Sequence, residues 1–333
     1  MQYHTDKKSD NKLSIIGFGC MRFPRNISQT EQLVVKAVQE GVNYFDTAYT
    51  YGGSEEALGA ILAKNNLRNK VFIATKLPVV KCKTNNDFDA FFQVQLKRLQ
   101  TDYIDYYLMH NLGEVNTWKT LCELGIEKWL MEKKEAGLIK NIGFSFHGIH
   151  DEFIKLLDVY AWDICLIQYN YINTNFQAGR AGLKKAAEKG LSVMVMEPLL
   201  GGKLAAGLPQ KAVDIFKTAN SSLTPAAWAL RWLWNQPEVT VVLSGMNEIS
   251  QLEDNLKTAQ NAAPNMLTVA ENNAYKLVMK HIRASYKIPC TECNYCMPCP
   301  QNVNIPGCFS GYNVSYGVGF FPAFINMCRA PDY

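Results

Sequence analysis

The chain has 333 residues, of which 48% are hydrophobic and 19% charged, a composition that predicts a folded globular protein and excludes a disordered one. This length suits either one large domain with a small appendage or two domains of medium size. The 34 basic and 30 acidic residues give a formal net charge of +4, which is too small to favour nucleic acid or a membrane surface as a partner. We therefore expect the partner to be a small molecule.

The N-terminal segment MQYHTDKKSDNKLSIIGFG does not have the form of a signal peptide. Its charges lie where a signal peptide needs an apolar core, and no later stretch approaches the roughly 20 apolar residues of a membrane span. We expect a cytoplasmic protein, and in that reducing compartment disulfides are disfavoured. The ten cysteines must then be explained by burial, catalysis or metal binding.

Short apolar runs rich in β-branched residues recur eight times along the chain. They begin near residues 14, 42, 71, 103, 140, 163, 191 and 239, as SIIGFG, VNYFD, VFIATK, YIDYYLMH, KNIGFS, DICLIQYN, LSVMVME and VTVVLSG. Segments of helical period separate them, such as 31–40, 55–65 and 224–236, and Ser54 and Thr224 are able to cap the last two. Eight strands that alternate with helices predict a (β/α)8 TIM barrel, with a doubly wound open sheet as the alternative.

The two ends of the chain fall outside this repeat. The segment before Ser14 has no helix and predicts a short cap on the floor of the barrel. After about Pro264 the pattern changes to one more helix and a tail rich in Cys, Pro, Gly and aromatic residues. We therefore divide the chain into a barrel over residues 1–265 and a small C-terminal unit over 266–333.

Five of the apolar runs are followed at once by a polar residue. In chain order these residues are Asp46, Lys76, His110, Ser145 and Gln168. Any one of them alone is most simply a residue that fixes a loop. Together they predict an active site, because the carboxyl-terminal ends of the strands carry the reactive groups of a (β/α)8 barrel.

Tyr51 follows Asp46 by five residues and can place a phenol over the same mouth. An unperturbed phenol, with a pKa of about 10, is a poor acid at neutral pH. An ammonium group on Lys76, held by Asp46, would lower the pKa of Tyr51, while His110 could hydrogen-bond the oxygen of a carbonyl substrate. This set predicts a proton donor beside a polarised C=O, as hydride addition to an aldehyde or ketone requires.

A family resemblance supports the same chemistry. The segments FDTAYTYG, IATKL, YIDYYLMHN, IGFSFHG, LIQYNY, MEPLLGGKL and LSGMNEISQLEDNL resemble, in this order, signatures of the aldo-keto reductase superfamily over about residues 1–265. The resemblance implies a catalytic tetrad of Asp46, Tyr51, Lys76 and His110, with Tyr51 as general acid and base.

The resemblance also implies an extended NADP(H) or NAD(H) across the barrel mouth. Its carboxamide would lie near Ser145 and Gln168, and its pyrophosphate near the loop of the seventh strand. The residues assigned to the cofactor are Gly19, Cys20, Met21, Ser145, Gln168, Met196, Glu197, Leu199, Gly201, Lys203, Ser244, Gly245, Met246, Asn247, Gln251 and Asn255. A Rossmann site is not expected, because GFG at 17–19 is too short for the G-x-G-x-x-G fingerprint.

Several positions depart from the family pattern. Phe146 replaces the usual Asn after Ser145, Met196 replaces an aromatic residue, and Glu197 replaces a small hydroxyl residue. These changes predict that the cofactor is held less tightly or differently. The positions where NADP-preferring relatives often carry Lys or Arg are Gly245, Met246 and Gln251. We therefore expect only modest discrimination between NADPH and NADH.

A second motif, Cys290-x2-Cys293-x2-Cys296-x2-Cys299-Pro, lies near the C-terminus. It nearly reproduces the cysteine run of bacterial ferredoxins and predicts one [4Fe-4S] cluster with these four cysteines as ligands. Cys308 is the substitute for Cys299 as the fourth ligand. A zinc site is the rival, although structural zinc sites usually separate two cysteine pairs by a long spacer.

Barrel and cysteine run together resemble a branch of aldo-keto reductases with ferredoxin-like C-terminal extensions. The resemblance implies a reductase of small-molecule aldehydes or ketones whose 266–333 unit carries the cluster. Two alternatives stay open. One is an electron-transfer oxidoreductase with a redox partner protein such as ferredoxin or a flavoprotein. The other is a redox-sensing subunit that binds nicotinamide without turnover.

Overall fold

The structure, a computed structural model, describes residues 1–284, 286–288, 290, 296, 299–301 and 303–318. Eight parallel strands close into a barrel, which confirms the predicted TIM barrel over the open sheet. The barrel strands are β3 (Ile16–Gly19), β4 (Tyr44–Asp46), β5 (Phe72–Leu77), β6 (Ile104–Met109), β7 (Ile139–Phe146), β8 (Ile164–Gln168), β9 (Ser192–Met196) and β10 (Val239–Ser244). Pairing of β10 with β3, with Val242 opposite Ile16, closes the ring.

A short antiparallel hairpin covers the amino-terminal end of the barrel. Its strands are β1 (Tyr3–Thr5) and β2 (Lys12–Ser14). Leu13 packs into the apolar interior of the barrel, and the carboxylate of the intervening Asp6 accepts hydrogen bonds from Tyr106 and Ser192, both at 2.7 Å. The predicted cap on the barrel floor is therefore present, and it leaves the opposite end free for the site.

Helices follow the strands and cover the outside of the barrel. They are α1 (Ile27–Gln39), α2 (Ser54–Lys64), α3 (Asn85–Leu99), α4 (Val115–Glu123), α5 (Ile126–Glu135), α6 (His150–Leu156), α7 (Gly179–Glu188), α8 (Lys203–Ala206), α9 (Gln210–Ala219), α10 (Pro225–Trp234), α11 (Ile249–Gln260), α12 (Val269–Ala284) and α13 (Ile305–Val318). Two 3-10 helices, Cys20–Arg22 and Leu200–Gly202, lie in loops at the barrel mouth. No helix in this described part of the chain is long and apolar enough to cross a membrane.

The two predicted helix caps have different outcomes. Thr224 caps α10, because its hydroxyl accepts a hydrogen bond from the backbone of Ala227 at 3.0 Å. Ser54 is not a cap but the first residue of α2, which follows the left-handed Gly53. Its hydroxyl instead donates to the carbonyl of Cys20 at 3.0 Å. Ser54 thus ties α2 to the loop that follows β3.

The apolar core has two parts, one inside the barrel and one between the strands and the helices. Helix α12 contributes Tyr275 and Val278 to the outer part. The hydroxyl of Tyr275 donates to the carbonyl of Trp228 in α10 at 2.6 Å. The first helix of the predicted C-terminal unit therefore packs directly on the outer helices of the barrel, while the domain boundary near residue 265 stays a prediction.

Candidate active site

The structure gathers the predicted polar residues at one end of the barrel. Asp46, Ser145 and Gln168 stand on the carboxyl-terminal parts of β4, β7 and β8, Lys76 stands near the end of β5, and His110 directly follows β6. Because neighbouring strands run parallel, these ends open at the same mouth. Tyr51 joins them from the loop that connects β4 to α2.

Lys76 is the centre of the hydrogen-bond network. Its side chain is only 1% exposed, and its Nζ donates to Asp46 Oδ1 at 2.6 Å and to the backbone carbonyl of Thr47 at 2.6 Å. A third, longer bond reaches the hydroxyl of Tyr51 at 3.4 Å. The ammonium thus has three acceptors, its full donor capacity. The sequence could not identify Thr47 as a partner of Lys76, because the acceptor is a backbone carbonyl and every residue has one.

Burial raises the pKa of Tyr51 above its ordinary value, and it outweighs the opposing effect of Lys76, which lowers that pKa. The sequence-based expectation was right about the direction of the Lys76 effect but wrong about the net shift. The reason is that most of the phenol is withdrawn from water, which disfavours the charged phenolate. Tyr51 is therefore a protonated hydrogen-bond donor at neutral pH.

His110 lies beside this phenol, with its ring centroid 5.8 Å from that of Tyr51 and the two rings nearly perpendicular. Burial, with smaller contributions from Lys76 and His147, lowers the pKa of His110 to about 3. The imidazole is therefore neutral at physiological pH. Thr50 Oγ1 lies 3.4 Å from Nδ1 of His110. A neutral imidazole can donate one hydrogen bond to a substrate oxygen without being the source of the proton.

The amide of Gln168 marks a place for a polar ligand. The side chain is 2% exposed, and neither its oxygen nor its nitrogen has a hydrogen-bond partner in the described part of the chain. Leaving such a group unpaired costs about 1–3 kcal/mol per polar atom, so a native structure rarely keeps one without a use. A carboxamide offers a matching donor and acceptor, so the residue fits a nicotinamide. The hydroxyl of neighbouring Ser145 accepts from the backbone of Asn111 at 2.8 Å.

The departures from the family pattern have distinct structural settings. Phe146 points away from the mouth and packs against Phe153 of α6, with ring centroids 4.9 Å apart. Met196 ends β9 opposite Gln168 and packs against the apolar interior of the barrel. Glu197 is exposed in a left-handed conformation with φ of 54°. Of the three, Met196 is the one placed beside the candidate nicotinamide position.

Loops after β9 and β10 contain the remaining predicted cofactor residues. Leu199 and Gly201 lie in the first loop, where Gly201 has a φ of 68° that favours glycine, and Lys203 begins helix α8 directly after it. The second loop contains Gly245, Met246 and Asn247. Two residues of α11 hold its ends, because Asn255 donates to the hydroxyl of Ser244 at the end of β10 and the side-chain oxygen of Gln251 accepts from the backbone of Asn247, both at 3.0 Å. These contacts fix the shape of the second loop.

Gly19, Cys20 and Met21 connect β3 to the same end of the barrel. A Cβ built on Gly19 would lie 3.5 Å from the backbone of Ser244, so the two chains pass close together there. The thiol of Cys20 is buried in the outer core and donates to the carbonyl of Phe18 at 3.5 Å. Only the backbone of Cys20 can therefore line the mouth, whereas the Met21 side chain is 64% exposed.

The predicted metal ligands are only partly described. Cys293 lies outside the described residues, while Cys290, Cys296 and Cys299 lie within them. Among the residues that the structure describes, no three His, Cys, Asp or Glu side chains come close enough to hold a metal ion. The described part of the C-terminal unit therefore does not by itself assemble a metal site.

A closed (β/α)8 barrel with these polar residues at its mouth defines a TIM-barrel enzyme. The sequence model of the Aldo/keto reductase family matches residues 15–266, and the chain belongs to this family of oxidoreductases. An aldo-keto reductase of Mycolicibacterium vanbaalenii is 31% identical over 245 residues, which cover 72% of this chain and 81% of the relative.

Two further relatives agree with this assignment. Protein tas of Escherichia coli is 27% identical over 322 residues, which cover 78% of this chain and 93% of that protein. In its holo form, the aldo-keto reductase AKR11C1 of Bacillus halodurans superposes with a TM-score of 0.68 at 25% identity. That match covers 84% of this chain and 96% of the solved one.

Proposed function

We propose that this protein reduces an aldehyde or ketone with NADPH or NADH, and that Tyr51 donates the proton. The observation that carries the proposal is the buried Lys76, whose ammonium joins Asp46 at 2.6 Å and Tyr51 at 3.4 Å. Burying an ion pair at the mouth of a barrel costs desolvation free energy, so the pair is a poor device for stability alone. Its hydrogen bond to a phenol supports a catalytic role instead.

Each residue of this set has one role in the proposal. Tyr51 gives its hydroxyl proton to the carbonyl oxygen, and neutral His110 donates a second hydrogen bond to the same oxygen. Lys76 stabilises the phenolate that remains, while Asp46 keeps Lys76 charged inside the barrel. When bound, the reduced nicotinamide supplies the hydride. Ser145 and Gln168 are the residues that would hold its carboxamide.

A screen of small aldehydes and ketones tests the proposal. Each is incubated with the protein and either NADPH or NADH, and loss of nicotinamide absorbance is compared with formation of the matching alcohol. We expect equal amounts of nucleotide consumed and alcohol formed. Nucleotide oxidation without alcohol would contradict carbonyl reduction and would favour electron transfer to another acceptor.

The rate of carbonyl reduction should be independent of pH from about pH 5 to 9. Reduction needs neutral His110, whose pKa is lowered to about 3, and protonated Tyr51, whose pKa is raised above its ordinary value. Neither group therefore changes its protonation state within that range. The kcat/KM profile is the measurement. A fall in rate as the pH drops through about 6.5, the ordinary histidine value, would contradict this expectation and would show that His110, or Asp46, whose pKa burial raises, gains a proton in this range.

For the C-terminal unit we propose a [4Fe-4S] cluster bound by Cys290, Cys293, Cys296 and Cys299. The support is the repeated two-residue spacing followed by proline, together with the thiolate chemistry that such clusters require. Cys308 is the alternative to Cys299 as the fourth ligand.

Protein purified without oxygen should contain about four irons and four sulfides per chain and absorb broadly near about 400 nm. Cys293→Ser should lose iron and absorbance together, because it removes one of the predicted ligands. Cys122→Ser is the matched control. Cys122 lies in α4, outside the cysteine run, so this variant should keep the cluster. One zinc per chain without sulfide would contradict the proposal.

A further inference from the structure

Arg22 spans the two loops at the barrel mouth. It ends the 3-10 helix Cys20–Arg22, and its side chain is exposed. Its Nη1 donates to the carbonyl of Gly201, in the loop after β9, at 3.3 Å. A Cβ built on Gly245, in the loop after β10, would lie 3.7 Å from both Cβ and Cδ of Arg22. The side chain therefore runs over one loop and reaches the other.

The charge of Arg22 is not neutralised within the described part of the chain. The ion pairs formed there do not include Arg22. A guanidinium has five N–H donors, and the bond to Gly201 uses one of them. An exposed bond of this kind adds little to stability. The remaining donors and the positive charge are therefore free for an anion at the mouth.

The two loops that Arg22 spans lie where many barrels of this kind bind phosphate. In (β/α)8 barrels, phosphates often bind between the loops that follow the seventh and eighth strands, which here are β9 and β10. Leu200, Gly201 and Gly202 have φ values of 48°, 68° and 95°. The N–H groups of Leu200 and Gly202 donate to the carbonyls of Glu197 and Leu199 at 3.0 and 2.9 Å, so positive charge for an anion must come here from side chains. Lys203 follows them directly and adds a second cation.

We propose that Arg22 binds a phosphate of the nicotinamide dinucleotide and thereby sets nucleotide affinity. Guanidinium groups suit this task, because their planar fork matches two phosphate oxygens at once. The phosphate is either the 2′-phosphate of NADPH or the pyrophosphate shared by both nucleotides. The inference rests on the proposed function. Arg22 would also place a cation beside Gly245, in a loop whose own residues carry no positive charge.

Dissociation constants of NADPH and NADH, measured by fluorescence titration at low and high salt, test this role. Arg22→Met keeps the length of the side chain and removes its charge. We expect at least about tenfold weaker binding of a nucleotide and a smaller salt dependence than in the wild-type protein. Arg25→Met is the matched control, because Arg25 is also exposed and lies three residues away. It should leave both constants within about twofold.

The pattern of loss identifies the phosphate. Weaker binding of NADPH alone assigns Arg22 to the 2′-phosphate, and equal weakening of both nucleotides assigns it to the pyrophosphate. Wild-type affinities in Arg22→Met would overturn the inference and leave the proposed reductase intact. A wild-type protein that binds neither nucleotide would instead overturn the proposed function and this inference together.

Discussion

Tyr51→Phe should lower the rate of carbonyl reduction by about two to four orders of magnitude while nucleotide affinity stays within a few-fold. The substitution keeps the aromatic ring that lies perpendicular to His110 and below the ammonium of Lys76, but removes the hydroxyl proton. Binding and chemistry should therefore separate. The measurement is kcat/KM with the best carbonyl substrate, compared with fluorescence titration of the nucleotide.

Tyr49→Phe is the matched control for this substitution. Tyr49 lies in the same loop, but its ring packs on Phe91 at 4.9 Å and on Arg98 at 4.5 Å. Loss of its hydroxyl should leave the reduction rate nearly unchanged. Near wild-type reduction by Tyr51→Phe would show that another group donates the proton, and the non-turnover and electron-transfer alternatives would then gain weight.

Lys76→Met should also suppress turnover by orders of magnitude. Without the ammonium, burial and Asp46 act unopposed to raise the pKa of Tyr51, and the phenolate left after proton transfer loses its cation. The double variant Tyr51→Phe/Lys76→Met should be barely slower than either single variant, because both changes disable one step. Additive losses would show that Lys76 acts on the substrate independently of Tyr51.

The Lys76 variant needs a separate test of folding. Removing the ammonium leaves Asp46, which is 4% exposed, as an unpaired buried carboxylate, and such a loss destabilises by about 3–5 kcal/mol. Lys76→Met/Asp46→Asn removes the buried charge as well as its partner. In thermal unfolding, we expect this double variant to be more stable than Lys76→Met alone. Its turnover should be as slow as that of Lys76→Met.

The sequence was sufficient to predict the barrel and the gathering of its polar residues. The barrel strands come from short apolar runs that are mostly buried on both faces, and this pattern depends little on distant residues. Asp46, Lys76, His110 and Gln168 then follow from their position at or beside strand ends. Ser54 shows the limit of local patterns, because its hydroxyl is used by a loop contact to Cys20 rather than by a cap.

Two features of the site could not be read from the sequence. The net pKa shift of Tyr51 depends on how far the folded loop withdraws the phenol from water, which exceeds the effect of Lys76. Arg22 reaches Gly201 across 179 positions of the chain, so no local spacing predicts their hydrogen bond.

The iron-sulfur cluster has a different standing. Cys293 lies outside the described residues, so the cluster stays a prediction from spacing.

The most direct test of the central claim follows the hydride itself. The nicotinamide nucleotide is prepared with deuterium at C4, on each face of the ring in turn, and incubated with the protein and its best aldehyde or ketone in ordinary water. Mass spectrometry of the alcohol should find one deuterium on the former carbonyl carbon with one of the two labelled forms and none with the other. If neither labelled form gave a deuterated alcohol, the hydride would not come from nicotinamide, which would contradict the proposed function.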